Sequence, residues 1–220
     1  MLAAVCACKV NTNPNLPVAI EVILPDSARV EVTDTFRPSG QVLNGVGASL
    51  PDSLFWTSFD TTLRVVDSAT GVSFGASVGI GRLQARTGNL YSNPQNVSVI
   101  PRLDSMTYAD STRQTLDFTP TDSTTDSLSD PLKIKTFATG GSASSRRVIF
   151  LPTTYPDSAA PVTLLPRDTV ATFGDGTASV QVRLHPGALP DSVVITARMV
   201  KLHGDALPGS PVTFVVEIKP

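Results

Sequence analysis

Cysteine is almost missing from this 220-residue chain. Cys6 and Cys8 are the only two, and the 212 residues after them carry no thiol. A disulfide through the body of the protein is therefore excluded, as is a cysteine-based zinc site there. The Cys6-x-Cys8 spacing is also too short for a redox Cys-x-x-Cys motif. Glutamate is as scarce: Glu21, Glu31 and Glu217 are three of the 19 carboxylates, and the other sixteen are Asp. Glu favours helices and Asp favours turns and caps. With 15 Gly and 18 Pro spread along the chain, long helices are close to excluded. His185 and His203 are the only histidines. The usual suppliers of general acids, bases and nucleophiles are thus nearly absent. The expectation is a protein that is not an enzyme and that uses no cofactor and no metal. Charged residues are only 16% with a net charge of −2, which leaves no basic excess for nucleic acid. No run approaches the ~20 apolar residues of a membrane span.

What is present is enough apolar side chain to build a core, 41% of residues with a mean hydropathy of +0.11. From Val18 onward, short β-rich runs are broken by turn signals every 8–12 residues, the spacing of a sandwich or barrel. Pro-Asp-Ser occurs four times, at Pro25, Pro51, Pro156 and Pro190. Pro fixes φ and lacks a donor, while Asp and Ser bond back to nearby amides, so each copy should end one strand and lead toward the next. Strands are predicted near 18–24, 28–33, 39–43, 54–59, 63–66, 72–78, 80–87 and 96–100, with starts near 102–108 and 114–118. They resume near 132–138, 146–151, 162–165, 168–173, 177–184, 192–200 and 211–218. Alternation assigns faces: Val30 and Val32 share one, Leu83 and Ala85 point inward between Arg82, Gln84 and Arg86, and Ala178, Val180, Val182 and Leu184 point inward together. The Ser/Thr/Asp-rich segment 119–130 is nearly all turn formers and reads as an exposed, flexible loop. The domain scheme is a tether over 1–17, a first sandwich over 18–101 and a second over 102–220.

The N-terminal Val5-Cys6-Ala7-Cys8 resembles the lipobox of bacterial lipoproteins, with Val5 and Ala7 well placed and Cys6 unusual. That resemblance implies lipidation at Cys8, with residues 9–17 as a polar, Pro-stiffened tether. The basic and apolar parts of a signal do not precede it, so either the chain starts upstream of Met1 or the segment is a plain apolar N-terminus.

The segment from Phe55-Trp56-Thr57-Ser58-Phe59-Asp60 through Leu63-Arg64-Val65-Val66 to Gly71 and Gly75 is similar to the bacterial Ig-like repeats of intimin- and invasin-type surface proteins. Gly79–Thr87 and Asn96–Ile100 take the places of the repeat's last strands. The second half looks like a related Ig-like group, through Pro131–Phe137, Arg147–Phe150, Gly174–Val180, Val193–Ala197 and Gly209–Val216. The resemblance implies an all-β chain of two tandem antiparallel Ig-like sandwiches, with Trp56 filling the inter-sheet core where antibody domains hold a Trp against a disulfide.

The candidate chemistry is thin. Gly75-Ala-Ser-Val-Gly79-Ile-Gly81 lacks the third Gly of a dinucleotide fingerprint and the Gly-Lys-Ser/Thr of a P-loop, and reads as a glycine-softened hairpin. Gly174-Asp175-Gly176-Thr177 reads as a hairpin-type turn. His185 and His203 read as loop residues. Asp122, Asp126 and Asp130 lack the alternation and central Gly of a calcium loop. Arg146-Arg147 is too small a patch for nucleic acid, and the Asn96-Val-Ser98 sequon lies in a strand. The expected role is a non-catalytic cell-envelope protein, lipid-anchored to the outer membrane or cell surface and otherwise secreted. Its modules would act as spacer or adhesion domains toward an unidentified protein or glycan, touching membrane only through the lipid. The alternative is a carbohydrate-binding sandwich using exposed aromatics, for which Tyr91, Tyr108 and Tyr155 are the candidates.

Overall fold

The computed structural model describes residues 13–117, 127–157, 159, 162–185 and 187–219. Every regular element among them is a β-strand, so no described helix is long and apolar enough to cross a membrane. Cys6, Cys8, Asp122 and Asp126 lie outside the described residues. The chain divides into two compact units, 1–99 and 100–220.

The first unit contains β1 (Pro17–Ile23), β2 (Arg29–Glu31), β3 (Thr35–Phe36), β4 (Ser39–Asn44), β5 (Ser49–Leu50) and β6 (Phe55–Ser58). It continues with β7 (Leu63–Val65), β8 (Ser73–Gly75), β9 (Gly79–Thr87), β10 (Leu90–Tyr91) and β11 (Gln95–Ile100). In the main sheet β2, β11, β9 and β6 lie side by side. Arg86 of β9 is paired with Phe55 on one edge and Tyr91 on the other, so β10 extends the β11 edge. Two short sheets, β1-β4-β5 and β3-β8-β7, complete the unit. The core holds Val30, Val32, Phe36, Trp56, Leu63, Leu83, Ala85, Val97 and Val99. Each large aliphatic buried in this way stabilises the fold by roughly 1.5–3 kcal/mol.

The second unit contains β12 (Arg102–Tyr108), β13 (Arg113–Asp117), β14 (Ser127–Leu128), β15 (Leu132–Thr139) and β16 (Arg147–Tyr155). After these come β17 (Thr163–Leu165), β18 (Thr169–Ala171), β19 (Thr177–Leu184), β20 (Ser192–Arg198) and β21 (Val212–Lys219). One sheet sets β12 beside β15, β15 beside β19, and β17 on the far edge of β19; the other runs β13-β21-β20-β16-β18. In the lettering of Ig domains these are an A-B-E sheet and a G-F-C sheet, so the unit is an Ig-like sandwich. Its strands are antiparallel except that β13 runs parallel to β21. The chain leaves β12 in one sheet and keeps its direction as it joins the other. The inward face of β19 is Ala178, Val180, Val182 and Leu184, all 1% exposed or less. They pack with Phe150, Ile195, Phe214 and Val216.

The Pro-Asp-Ser segments sit at strand ends: just after β1, β5 and β16, and just before β20. At the first, Asp26, Ser27 and Ala28 all take left-handed φ values of 50°, 55° and 60°, and the Ala28 N–H donates to Pro25 O at 2.9 Å.

Some expectations are corrected. The segment 119–130, read as an exposed loop, is not loop at its end: Ser127–Leu128 forms β14 against β19, and Ser129 is buried. The Gly75–Gly81 segment is not a hairpin, since β8 and β9 belong to different sheets. Glycine is needed at 81 for close approach: a Cβ there would lie 2.5 Å from Leu63 Cβ. Gly174–Thr177 forms the hairpin-type turn expected, with the Phe173 N–H donating to Thr177 O at 2.7 Å and the Gly176 N–H to Phe173 O at 2.9 Å, but β18 and β19 on either side of it lie in opposite sheets.

Two β-bulges use one device that the sequence reading missed. Between β10 and β11 the partner register steps from Tyr91↔Arg86 to Gln95↔Leu83, four residues against three. Between β14 and β15 it steps from Leu128↔Arg183 to Leu132↔Val180, again four against three. The bulged segments, each one residue longer than the stretch opposite, are Ser92-Asn93-Pro94 and Ser129-Asp130-Pro131. In the first, the Ala85 N–H donates to Ser92 Oγ at 3.0 Å and Gln84 Nε2 donates to Ser92 O at 2.8 Å. In the second, the Val182 N–H donates to Ser129 Oγ at 2.9 Å and Gln181 Nε2 donates to Ser129 O at 2.8 Å. Pro supplies no N–H at the bulge, and a serine hydroxyl with a glutamine amide takes over the ladder.

Candidate functional site

Alternation along β9 sends Gly81, Leu83 and Ala85 into the core and Ile80, Arg82, Gln84 and Arg86 out to solvent. Because paired residues share a face, cross-strand register then decides what surrounds those arginines. Phe55 of β6, Arg86 of β9 and Tyr91 of β10 form one row across three strands. The Arg86 guanidinium lies 5.6 Å from the Phe55 ring centre. One end of the face carries Phe59, whose N–H donates to Arg82 O and whose ring centre lies 5.6 Å from the Arg82 guanidinium. Phe55 is 44% exposed, Phe59 52%, Tyr91 56% and Ile80 65%. Exposed rings interleaved with arginine are the side chains enriched at binding hot spots.

The two arginines differ. Arg82 is held by Asp60, with Nε 3.0 Å from Oδ2 and Nη2 3.2 Å from Oδ1, and the Arg82 backbone N–H also donates to Oδ2 at 2.8 Å. The Arg82 side-chain hydrogen bond holds the Asp60 carboxyl below its ordinary value, against a smaller opposing effect of desolvation. The same pair raises Arg82. Arg86 has no carboxylate within ion-pair distance among the described residues. Beside this face, an open groove of about 650 Å³ runs between β6 and β7, lined by Thr57, Ser58, Asp60, Arg64 and Val66 among others.

Of the residues singled out in the sequence, Tyr91 lies on this face. Tyr155 ends β16 in the second unit, half exposed, and Tyr108 ends β12 in the opposite sheet of that unit. The three tyrosines therefore form no common platform. Trp56 is 3% exposed and belongs to the first core, and Cys8 lies outside the described residues. His185 Nε2 is 3.0 Å from Thr163 Oγ1, and His203 is in an exposed turn. Arg146 is no part of a surface patch: it is buried and its guanidinium donates to the Pro101 carbonyl. Among the described residues, no three of His, Cys, Asp and Glu converge as metal ligands. The sequence reading had Arg82 and Arg86 outward but missed Phe55 and Phe59 beside them, since only the β6–β9 register brings them together.

No family model matches the chain, and no curated protein matches it. Among solved structures, it is similar to the Yersinia pseudotuberculosis adhesin InvE at 16% identity, covering 90% of this chain and 58% of that one, with a TM-score of 0.39. Fibronectin(III)-like modules of Clostridium thermocellum CbhA are similar at 17% identity, over 90% of this chain and 94% of theirs, with a TM-score of 0.40. The D0-D1 domain of intimin is similar at 13% identity, over 91% and 98%, with a TM-score of 0.32. At such TM-scores these neighbours carry no functional argument, and the sandwich assignment stands on the strand pairing itself.

Proposed function

We propose that this is a non-catalytic bacterial cell-envelope protein, anchored through a lipid on Cys8, whose Ig-like units hold an interaction surface away from the membrane. The observation that carries this reading is the outer face of β6, β9 and β10, where Phe55, Phe59 and Tyr91 are exposed around Arg82 and Arg86. A monomer gains nothing by leaving three rings in water on one face, whereas a binding module needs them. Residues 9–12 are what remains of the expected 9–17 tether, because Pro14 O accepts the Gly45 N–H and Pro17 opens β1 opposite Asn44. Beads coated with the purified chain should adhere to cells or extracellular matrix, and the double substitution Phe55→Ser/Tyr91→Ser should abolish adhesion without changing the unfolding midpoint. Unchanged adhesion by that variant refutes the role of the face. Mass spectrometry of the native protein tests the anchor separately, and an uncleaved, unacylated Cys8 removes it.

A second reading, a carbohydrate-binding sandwich, is favoured by one feature: the Phe55 and Tyr91 rings lie on a strand face, not in a cleft, so a flat ligand can lie across them.

A further inference from the structure

We infer that the Phe55–Arg86–Tyr91 row is a subsite for a carboxylated saccharide, a uronic-acid type of chain, resting on the reading of this face as an interaction surface. Three observations converge. Arg86 has no carboxylate partner among the described residues, while its neighbour Arg82 is fully engaged by Asp60. An unpaired guanidinium is a fork of donors matched to an incoming carboxylate. Its plane is already positioned over Phe55 at 5.6 Å, so little side-chain freedom is lost on binding. The rings of Phe55 and Tyr91 stand on the strands either side of β9, two strand spacings or ~10 Å apart, a span that a short oligosaccharide bridges with its C–H faces on the rings.

The occupant is a saccharide and not an acidic peptide because of how the backbone is used. β9, at the centre of the row, is paired on both edges, and β6, an edge strand, already spends its Trp56 N–H on Ser68 O at 2.8 Å, so the row offers chiefly side chains. An extended peptide gains most of its affinity by adding to a free strand edge. Thr57, opposite Gln84, and Asn96, opposite Arg82, are exposed on the same face and can bond sugar hydroxyls.

The test uses the full chain and three probes in titration calorimetry: tetragalacturonate, its methyl ester and hexa-aspartate. Tetragalacturonate should bind. The neutral ester should bind about tenfold or more weakly, and Arg86→Gln should cost the acid the same factor while leaving the ester unchanged. Tyr91→Ala should weaken both sugars, and Tyr155→Ala neither. Arg86→Lys, with the charge kept and the planar fork lost, should fall between wild type and Arg86→Gln. Equal unfolding midpoints of all variants exclude misfolding. The inference is overturned if tetragalacturonate fails to bind, if its binding survives Arg86→Gln, or if hexa-aspartate binds as well and is equally sensitive to Arg86. Bead adhesion that needs Phe55 and Tyr91 without uronate binding would sink this ligand class alone and leave the interaction surface standing.

Discussion

At Trp56 the chain buries its one indole against Gly71, whose φ is +78°, and Pro38. A Cβ at 71 would lie 2.9 Å from Trp56 Nε1 and 2.8 Å from Pro38 Cγ. Gly47 has nearly the same φ, +80°, but nothing within 4 Å of an added Cβ. Gly71→Ala therefore combines the left-handed strain with a clash, whereas Gly47→Ala carries the strain alone, about 1–2 kcal/mol. Urea unfolding should show Gly71→Ala the more destabilising of the two; equal effects would mean that the indole is not packed on Gly71. Acid stability is also decided residue by residue. Asp60 is held below the ordinary carboxylate range by the Arg82 hydrogen bond, Asp67 by the Thr70 hydroxyl, Asp104 by Thr139 and Asp175 by Thr177. A folded value below the unfolded one gives stability that is complete above the unfolded value and lost as pH falls through the folded one. The unfolding midpoint should thus be insensitive to these groups above about pH 5 and decline below about pH 4. Thr70→Val should lessen the acid-side decline; if it leaves the profile unaltered, Asp67 contributes nothing.

At the scale of elements, the two Ser-Asx-Pro bulges let a strand gain one residue without orphaning its neighbour. Ser129→Ala leaves the buried Val182 N–H without its acceptor, and Ser92→Ala does the same to Ala85. Each should cost about 1–3 kcal/mol. Amide exchange at Val182 or Ala85 should accelerate in the matching variant and not in the other. Protection retained at both would show that the hydroxyls are not the acceptors. The bulge between β10 and β11 also shapes the proposed interaction face. Tyr91 precedes the extra residue and Asn96 follows it, so the slip keeps both on the outer face, opposite Arg86 and Arg82.

For the molecule as a whole, the two cores share no residue: one is built from positions between 30 and 99, the other from positions between 103 and 218. Each unit carries its own buried aliphatics and strand ladders, which is the requirement for independent folding. The segment 100–220 expressed alone should unfold in one cooperative urea transition with an m-value for its own size. A non-cooperative profile would show that it depends on residues 1–99.

The residue sequence by itself determined that this chain is all-β. Period-two alternation in 80–87 and 177–184, and Pro-Asp-Ser at strand ends, are local properties that hold wherever the strands pack. It also determined that Arg82 and Arg86 face away from Leu83 and Ala85. It could not supply the two-residue strands β3, β5, β10 and β14, which are too short to show any period and exist only because a neighbour pairs with them. Nor could it tell that 75–81 and 174–177 pass between sheets, since a glycine turn looks the same whether the next strand pairs back or crosses over. The proposed interaction face was decided by strand pairing. Phe55 lies 31 positions from Arg86 and meets it because long-range hydrogen bonds fix the β6–β9 register, while the short β9–β10 turn brings Tyr91 to the other side, and register is a property of paired strands that no single strand carries.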